Sequence, residues 1–163
     1  MPVALNDDQS ALAQAVAGFA ERHGARESTR KETAKHKAGE RPDHWLELIS
    51  LGLHAVHLPE EVGGQGGSIE DIAVVIGEAG RALLPGPLSP TVCASAVVST
   101  AEHDAAAIGS LKRLAAGATA TVLGPQSSVT ISEHDGRTRL DGESAATFGA
   151  SAPSAVMTCP PYE

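Results

Sequence analysis

Cysteine is scarce in this sequence, and the few cysteines form no cluster, which argues against zinc sites, redox motifs and disulfide frameworks. Cys93 and Cys159 are the two cysteines of the 163-residue chain, and they stand far apart. Their spacing matches neither a zinc site nor a redox motif, and two isolated thiols build no disulfide framework. We therefore expect no metal and a protein of the reducing cytoplasm. Met1 is followed by neither a basic segment nor an apolar core, so we also expect no secretory signal.

Aromatic residues and positive charge are also in short supply. The chain has one Trp, one Tyr and two Phe, and its formal net charge is −8. An acidic protein with few stacking platforms is poorly suited to nucleic acid, so we expect no such partner. No apolar run approaches the length of a membrane span, which argues against a membrane partner as well. The chain is long enough for one sizeable domain.

Glycine, in contrast, is concentrated in one stretch around which the chain is organised. Four glycines occupy five positions between 63 and 67, and Pro59 precedes them. Glycine permits backbone turns that other residues avoid, and proline blocks helix continuation, so this stretch predicts a tight surface loop. Ser68 stands three residues before Asp71, a pattern typical of a helix N-terminus. The loop therefore leads into a helix.

A phosphate site at this loop is the less favoured interpretation. The P-loop lysine is missing, and Ile69 stands where a dinucleotide fingerprint has its third glycine. Glu60 and Glu61 would also repel an anion at the following helix N-terminus. We interpret the loop as a turn between two packed helices.

Helical periodicity and capping residues predict an antiparallel bundle of five helices over residues 1–117. The predicted helix starts are Asn6 or Asp7, Pro42, Ser68, Ser89-Pro90 and Asp104. The side chains predicted to be buried are Leu12, Val16, Phe19, Trp45, Leu48, Ile49, Ile72, Val75, Ile76, Leu111 and Leu114.

The pattern changes over residues 118–163, where short segments are rich in β-branched residues. Strands are predicted at 119–123, 128–131, 138–140 and 155–158, with Asp135-Gly136 as a hairpin turn. These strands are too few to close a sheet with its own core. The predicted fold class is therefore mainly α: an N-terminal antiparallel helical bundle followed by an incomplete, truncated β domain. We expect the chain to be a fragment or to depend on another chain.

The histidines suggest no site by themselves. His54 and His57 flank two apolar residues and have no further ligands nearby, so they are interpreted as structural polar residues. His23 and His36 lie in a charged run and are interpreted as solvated. The residue types alone assign no catalytic residue.

Three pieces in a fixed order point to a family. They are a Trp-x-x-Leu-x-x-Leu-Gly-Leu pattern from Trp45 to Leu53, the run LPEEVGGQG at 58–66, and Glu-Ala-Gly-Arg at 78–81. Together they resemble the N-terminal helical domain of acyl-CoA dehydrogenases, most strongly over residues 40–90. The resemblance implies a helical domain, a central β domain and a C-terminal four-helix bundle, with FAD and acyl-CoA between them.

The resemblance also implies a substrate pocket. Family members place the helix corresponding to 90–99 at the floor of the acyl pocket. The residues expected to face this pocket are Leu88, Val92, Ser95 and Ala96. An ordinary core helix is nearly as good an interpretation, since small residues at helical spacing also permit close helix packing.

The family's flavin-contacting residues have no clear counterpart here. The family ends its first β-domain strand in Thr-Glu-Pro, and this chain has Leu123-Gly124-Pro125 at that place. A later family stretch, Lys-x-Trp-Ile-Thr/Ser-Asn, corresponds to residues 144–149, which read Ser-Ala-Ala-Thr-Phe-Gly. The family's catalytic glutamate belongs to the C-terminal domain. We therefore assign no cofactor-binding residue and expect this chain alone to bind no FAD.

Two functions and a third alternative follow from the resemblance. The first is the N-terminal part of a flavoprotein that desaturates an acyl-CoA thioester in lipid or sterol side-chain catabolism, not competent alone. The second is a flavin-free partner that shapes the cavity and the oligomer, as in actinobacterial family members that pair flavin-binding and flavin-free halves on sterol thioesters. The third is a flavin-dependent monooxygenase or oxidase on the same fold. The implied partners are acyl-CoA and a homo- or hetero-oligomer of such chains.

Overall fold

The structure, a computed structural model, describes residues 4–23, 41–100, 105–123, 128–134, 137–143 and 155–158. Helices come first within these ranges and strands follow, which confirms the predicted mainly α fold. In chain order the elements are α1 (Asp7–Arg22), α2 (Trp45–Ser50), a 3-10 helix (Glu60–Val62), α3 (Ile69–Arg81), α4 (Leu88–Thr100), α5 (Ala105–Ala115), β1 (Ala120–Leu123), β2 (Ser128–His134), β3 (Arg137–Glu143) and β4 (Ala155–Thr158). No helix of the described ranges is long and apolar enough to cross a membrane.

Two helix starts are fixed by reciprocal capping and are joined to each other. Asn6 accepts a hydrogen bond from the backbone N–H of Gln9 at 2.7 Å, and Ser68 accepts one from Asp71 N–H at 3.2 Å. In each pair the second side chain bonds back to the backbone N–H of the first. Gln9 Nε2 also donates to Asp71 Oδ1 at 3.1 Å. The predicted caps of α1 and α3 are thus confirmed, and their N-termini meet.

The hydrophobic core lies between the first four helices. Trp45 is buried at its centre and donates its indole N–H to the carbonyl of Gly117 at 3.3 Å. Leu12, Ile49 and Ile76 are only partly buried against this core, because they stand at the margin of their apolar stripes, so their predicted full burial was wrong. The buried core side chains are Val16, Phe19, Trp45, Leu48, Leu53, Val56, Ile72, Val75, Ala79, Leu88 and Val92.

The second helix is shorter than its apolar stripe predicts. It spans six residues, so Pro42 lies before it and not in its first turn. Gly52 adopts a φ of 69°, a left-handed conformation that ends helices, so Leu53 falls in a turn although it is still buried.

The fourth helix starts earlier than predicted. Its first residue is Leu88, so Ser89 lies inside the helix rather than at the N-cap. Pro90 falls in the first turn, where backbone N–H groups have no helical partner and the missing donor of proline costs little. Asp104, the predicted cap of the next helix, lies outside the described residues, and α5 begins at Ala105.

The strands form two separate pairs within the described ranges. β1 pairs in parallel with β4, from Ala120 opposite Ala155 to Leu123 opposite Thr158. β2 pairs antiparallel with β3, and His134 stands opposite Arg137. The predicted turn residues 135–136 between them lie outside the described residues. A two-stranded pair has no core of its own, which fits the prediction of an incomplete β domain. The division into domains at residue 117 stays a prediction.

Candidate functional site

The glycine-rich loop doubles back on the segment that precedes it. Gly66 N–H donates to the carbonyl of Leu58 and Gly67 N–H to that of Val56, both at 2.8 Å. Gly63 adopts a left-handed φ of 94° after the 3-10 helix, a short element that the sequence did not predict. Gly64 lies so close to the Leu58 carbonyl that a Cβ would collide with it. The predicted tight turn is therefore confirmed.

A cavity of about 360 Å³ opens beside this loop. The exposed carboxylates of Glu60 and Glu61 stand at its edge, and one imidazole, that of His57, forms part of its wall. Carboxylates disfavour a bound phosphate, in line with the interpretation from the sequence. The lining residues are His57, Pro59, Glu60, Glu61, Gly66 and Gly67.

His57 is held by a serine of α4. Its Nε2 lies 2.9 Å from Ser95 Oγ, and that hydroxyl donates to the carbonyl of Val92 at 2.9 Å. Because the Ser95 proton points to Val92, its oxygen accepts from His57 Nε2–H. Nδ1 of His57 is then an acceptor, and it is shielded from solvent without a partner among the described residues. Burial lowers the pKa of His57, and the neighbouring His54 lowers that pKa further.

His54 repeats this arrangement one turn earlier. Its Nε2–H donates to the carbonyl of Ala115 at 2.9 Å, at the end of α5, and its Nδ1 has no partner in the described part of the chain. Burial lowers the pKa of His54, although hydrogen bonds to the α5 backbone act in the opposite direction. The described residues contain no group of three or more side chains suited to a metal ion. Both histidines dock the 52–58 segment onto the helices behind it.

His23 is not simply solvated, as its charged surroundings in the sequence suggested. Its ring lies 4.5 Å from the Phe19 ring and 5.5 Å from that of His44, and its Nε2 is 3.0 Å from Glu47 Oε2. His44 itself is buried, with Nε2 3.0 Å from the carbonyl of Pro85. Phe19 lies one helical turn before His23, but His44 and Glu47 are more than 20 residues away in the sequence, so no local pattern predicts those two contacts. His36 lies outside the described residues.

The four predicted pocket residues share α4 but have different surroundings. Leu88 and Val92 belong to the hydrophobic core, whereas Ser95 is buried against His57 and Ala96 is only half-buried. The structure brings Ser95 together with a residue that the sequence did not associate with it, His57. The role of these residues in an acyl pocket stays a prediction.

The same helix joins the bundle to the first strand. Thr91 Oγ1 accepts a hydrogen bond from Ala120 N–H at 3.2 Å, and both residues are buried. Ala94 packs with Leu114 and Ala120 in a small apolar cluster. Thus α4 contacts the helical core through one part of its surface and β1 through another.

Comparison with known proteins agrees with this architecture. The profile of the family described as "Acyl-CoA dehydrogenase, N-terminal domain" matches residues 6–117, more than half of the chain. The chain belongs to the acyl-CoA dehydrogenase family. The match ends at Gly117, the residue whose carbonyl accepts the hydrogen bond of the Trp45 indole N–H.

Curated acyl-CoA dehydrogenases from mycobacteria are similar in sequence. Acyl-CoA dehydrogenase FadE34 of Mycobacterium tuberculosis is 39% identical over 106 residues, which are 61% of this chain and 15% of that protein. Acyl-CoA dehydrogenase IpdE2 of Mycolicibacterium smegmatis is 36% identical over 91 residues, 55% of this chain and 29% of its own length. IpdE2 of M. tuberculosis is 34% identical over 106 residues, 64% of this chain and 33% of its own. The matches thus span about a third or less of these relatives.

Chains of two solved structures share the fold. A chain of the structure titled "Tcur3481-Tcur3483 steroid ACAD G363A variant" superposes with a TM-score of 0.76 at 23% identity, covering 94% of this chain and 45% of that chain. A chain of the ChsE4-ChsE5 complex from M. tuberculosis gives 0.69 at 18% identity, with 96% and 44% covered. The likeness extends beyond the helices to the strands.

One of the positions that the family resemblance expects to contact a flavin lies within the described residues. The end of β1 is the place where the family resemblance expects a threonine against the flavin, and Leu123 stands there, 8% exposed. A buried hydrocarbon side chain offers no hydrogen bond to a polar ring atom. This position does not fit a flavin contact. The second stretch, residues 144–149, lies outside the described residues.

Proposed function

We propose that this chain is the N-terminal, substrate-side part of an acyl-CoA dehydrogenase assembly, in which α4 forms the floor of the acyl pocket. The observation that carries this proposal is the position of α4 between the helical core and β1, fixed by Thr91 and Ala94. In the family fold, acyl-CoA and FAD lie between the helical and β domains. A helix at that junction is suited to contact the acyl group. The division of the chain into residues 1–117 and 118–163 belongs to this proposal.

The expected reaction is α,β-desaturation of an acyl-CoA thioester. A flavin, when bound in the assembly, would supply the hydride acceptor. The described residues contribute binding and exclusion of water rather than proton transfer, since none is assigned as the catalytic base. Ala96 is half-buried on α4, and its short side chain would leave space for a bulky group beside it.

A fused-ring or sterol-type acyl group is the substrate class that we propose. The fold is shared with a chain titled as a steroid ACAD, which supports the same substrate class. The proposal includes a role in lipid or sterol side-chain catabolism, in the cytoplasm, with acyl-CoA as the small-molecule partner.

The acyl pocket is tested by Ala96→Phe in the intact assembly. Ala96 is half-buried, so a phenyl ring there would project into the pocket and shift the preference from bulky to slender acyl thioesters. Val97→Phe is the matched control, because Val97 is exposed on the next position of α4. The proposal predicts a changed ratio of kcat/KM values for Ala96→Phe alone. Equal ratios in both variants, or a loss of folding in Ala96→Phe from overpacking, would identify α4 as an ordinary core helix.

A second function is favoured by Leu123. A chain without the flavin-contacting hydroxyl is suited to be a flavin-free partner that completes the cavity and the oligomer of a flavin-binding chain. The ChsE4-ChsE5 structure is a complex of two differently named chains, which supports a heteromeric assembly. The number of flavins per chain of the assembly, from the visible absorbance and the protein mass of the purified assembly, separates the two functions. One flavin for every chain, with this chain counted among them, excludes the flavin-free partner, whereas one flavin for every two chains supports it.

A further inference from the structure

The segment 55–58 is held between two apolar clusters. Val56 belongs to the main hydrophobic core. Ala55 and Leu58 pack instead with Leu111 of α5 in a second cluster of buried side chains. Because close-packed side chains hold the segment from both sides, its backbone has little freedom to shift against the helices.

The glycine loop holds the same segment through its backbone. Gly67 N–H donates to the carbonyl of Val56 and Gly66 N–H to that of Leu58, both at 2.8 Å, and these two carbonyls flank His57 in the sequence. A Cβ on Gly67 would lie 2.9 Å from the Val56 carbonyl oxygen, so a side chain there would push the loop away. The loop and the two clusters therefore fix the backbone that carries the His57 side chain.

The His57 side chain reaches from this fixed segment to the middle of α4. Its Nε2–H donates to Ser95 Oγ at 2.9 Å, and its Nδ1 has no partner in the part of the chain that the structure describes. The Ser95 hydroxyl donates in turn to the carbonyl of Val92 at 2.9 Å, which leaves its oxygen to accept from His57. The imidazole thus links the segment to α4 through one hydrogen bond.

The serine that receives this bond lies directly behind the proposed acyl surface. Ser95 is 2% exposed, whereas Ala96, the next residue of α4, is half-buried. Neighbouring residues of a helix move together, because the backbone hydrogen bonds fix their relative positions. A displacement of Ser95 therefore displaces Ala96 as well.

We propose that His57 is a positioning residue of the acyl site, which acts through Ser95 to fix the place of α4 and with it the width of the acyl pocket. This inference rests on the proposed function, since it requires α4 to border the acyl group. The glycine loop then supports the acyl helix through His57, without contact to the substrate. A shift of about 1 Å in a positioning element is enough to change reaction rates strongly.

Competition between two thioesters in one solution of the intact assembly tests the inference. The probes are octanoyl-CoA, with a slender chain, and the CoA thioester of cholanic acid, with fused rings; an artificial electron acceptor is added and the products are measured by mass spectrometry. The relative rates give the ratio of the two kcat/KM values, in which the amount of folded enzyme cancels. A merely structural role of His57 would therefore leave this ratio unchanged.

His57→Phe removes the donor to Ser95 and is expected to lower the preference for the fused-ring thioester by about fivefold or more. His57→Gln keeps an N–H donor and is expected to restore part of the preference. Ser95→Ala removes the acceptor and should have the same effect as His57→Phe, and the double variant should show no further change. Direct contact of Ser95 with the acyl group would instead make the two effects add.

His54→Phe is the matched control. His54 belongs to the same part of the chain, but its Nε2–H donates to the carbonyl of Ala115 at the end of α5 and not to α4. This variant should lose stability and keep the wild-type ratio. A shift in His54→Phe equal to that in His57→Phe would overturn the inference, since any loosening of the segment would then suffice.

An unchanged ratio in His57→Phe and Ser95→Ala, with both thioesters still desaturated, overturns the inference while the proposed function stands. If the wild type accepts one thioester alone, turnover of the other in His57→Phe but not in His54→Phe supports the inference, and no such turnover overturns it. If the wild type desaturates neither thioester, the proposed function fails and the inference with it. If His57→Phe does not fold, the ratio in Ser95→Ala decides.

Discussion

Thr91 and Ala120 are joined across 29 positions of the sequence by a buried hydrogen bond, in which the Thr91 hydroxyl oxygen accepts from the Ala120 backbone N–H at 3.2 Å. Ala120 is the first residue of β1, so the bond fixes where the strand starts relative to α4. The first strand of the β segment is therefore positioned by the helix that we propose as the floor of the acyl pocket.

Thr91→Val should destabilise the protein, because valine keeps the shape of threonine but leaves the Ala120 N–H buried without an acceptor. The expected loss in the free energy of unfolding is about 1–3 kcal/mol. Thr100→Val is the control, since Thr100 is exposed and its hydroxyl bonds to the carbonyl of Val97 in its own helix. Urea unfolding followed by circular dichroism measures both. A Thr91→Val variant as stable as Thr100→Val would show that the bond contributes nothing.

Two glycine substitutions should have opposite effects on stability. Gly64→Ala places a Cβ against the carbonyl of Leu58, so the loop must open and the free energy of unfolding falls. Gly77→Ala, in the middle of α3, meets nothing within 4 Å and should raise stability by about 0.5–1 kcal/mol, because alanine is the better helix former. Melting temperatures of the two variants should lie on either side of the wild type. A Gly64→Ala variant as stable as the wild type would refute the described loop geometry.

The third helix offers a graded test of the core. Ile72 is 2% exposed, and truncation to alanine should cost about 2–5 kcal/mol of unfolding free energy. Ile76 lies one turn later on the same helix but is only partly buried, so Ile76→Ala should cost clearly less. Chemical denaturation of the two variants gives the order directly. A larger loss at Ile76 would mean that α3 is rotated relative to the described packing.

Acid should destabilise the folded chain before any carboxylate is involved. Burial lowers the pKa values of His54 and His57, whereas the unfolded chain keeps the ordinary histidine value of about 6.5. The unfolded state therefore takes up protons first as the pH falls. The contribution of the two neutral histidines to the free energy of unfolding is complete above about pH 6.5 and is lost as the pH falls below it. The decline in unfolding free energy between pH 7.5 and 5 should be smaller in the double variant His54→Gln/His57→Gln than in the wild type. An equal fall in the free energy of unfolding in both proteins would show that folding does not lower the pKa of either histidine.

Local sequence signals predicted the elements that depend on neighbouring residues. The Ser68 and Asp71 capping pair, the apolar stripe of α3 and the glycine turn are each decided within a few positions, so periodicity and capping rules located them. The helix start near Pro90 was predicted wrongly. Ser89 resembles an N-cap, but the structure begins α4 at Leu88 because proline is tolerated anywhere in the first turn.

The candidate site depends on distant residues, and the sequence alone did not predict it. His57 and Ser95 are 38 positions apart, and His54 reaches Ala115 over 61 positions. The spacing of the histidines suggested only structural roles, because the side chain that bonds to His57 belongs to α4, far away in the sequence. The sequence located Ser95 on the proposed pocket helix through the family resemblance, and the packing of the helices supplied its partner.

Photoaffinity labelling is the most direct test of the claim that α4 forms the floor of the acyl pocket. An acyl-CoA with a diazirine at the far end of a ring-containing acyl group would be irradiated with the intact assembly, and the labelled peptides identified by mass spectrometry. The account predicts label within residues 88–96 of this chain, and competition by the unmodified thioester. Label confined to other segments or to partner chains, with 88–96 recovered unmodified, would contradict it.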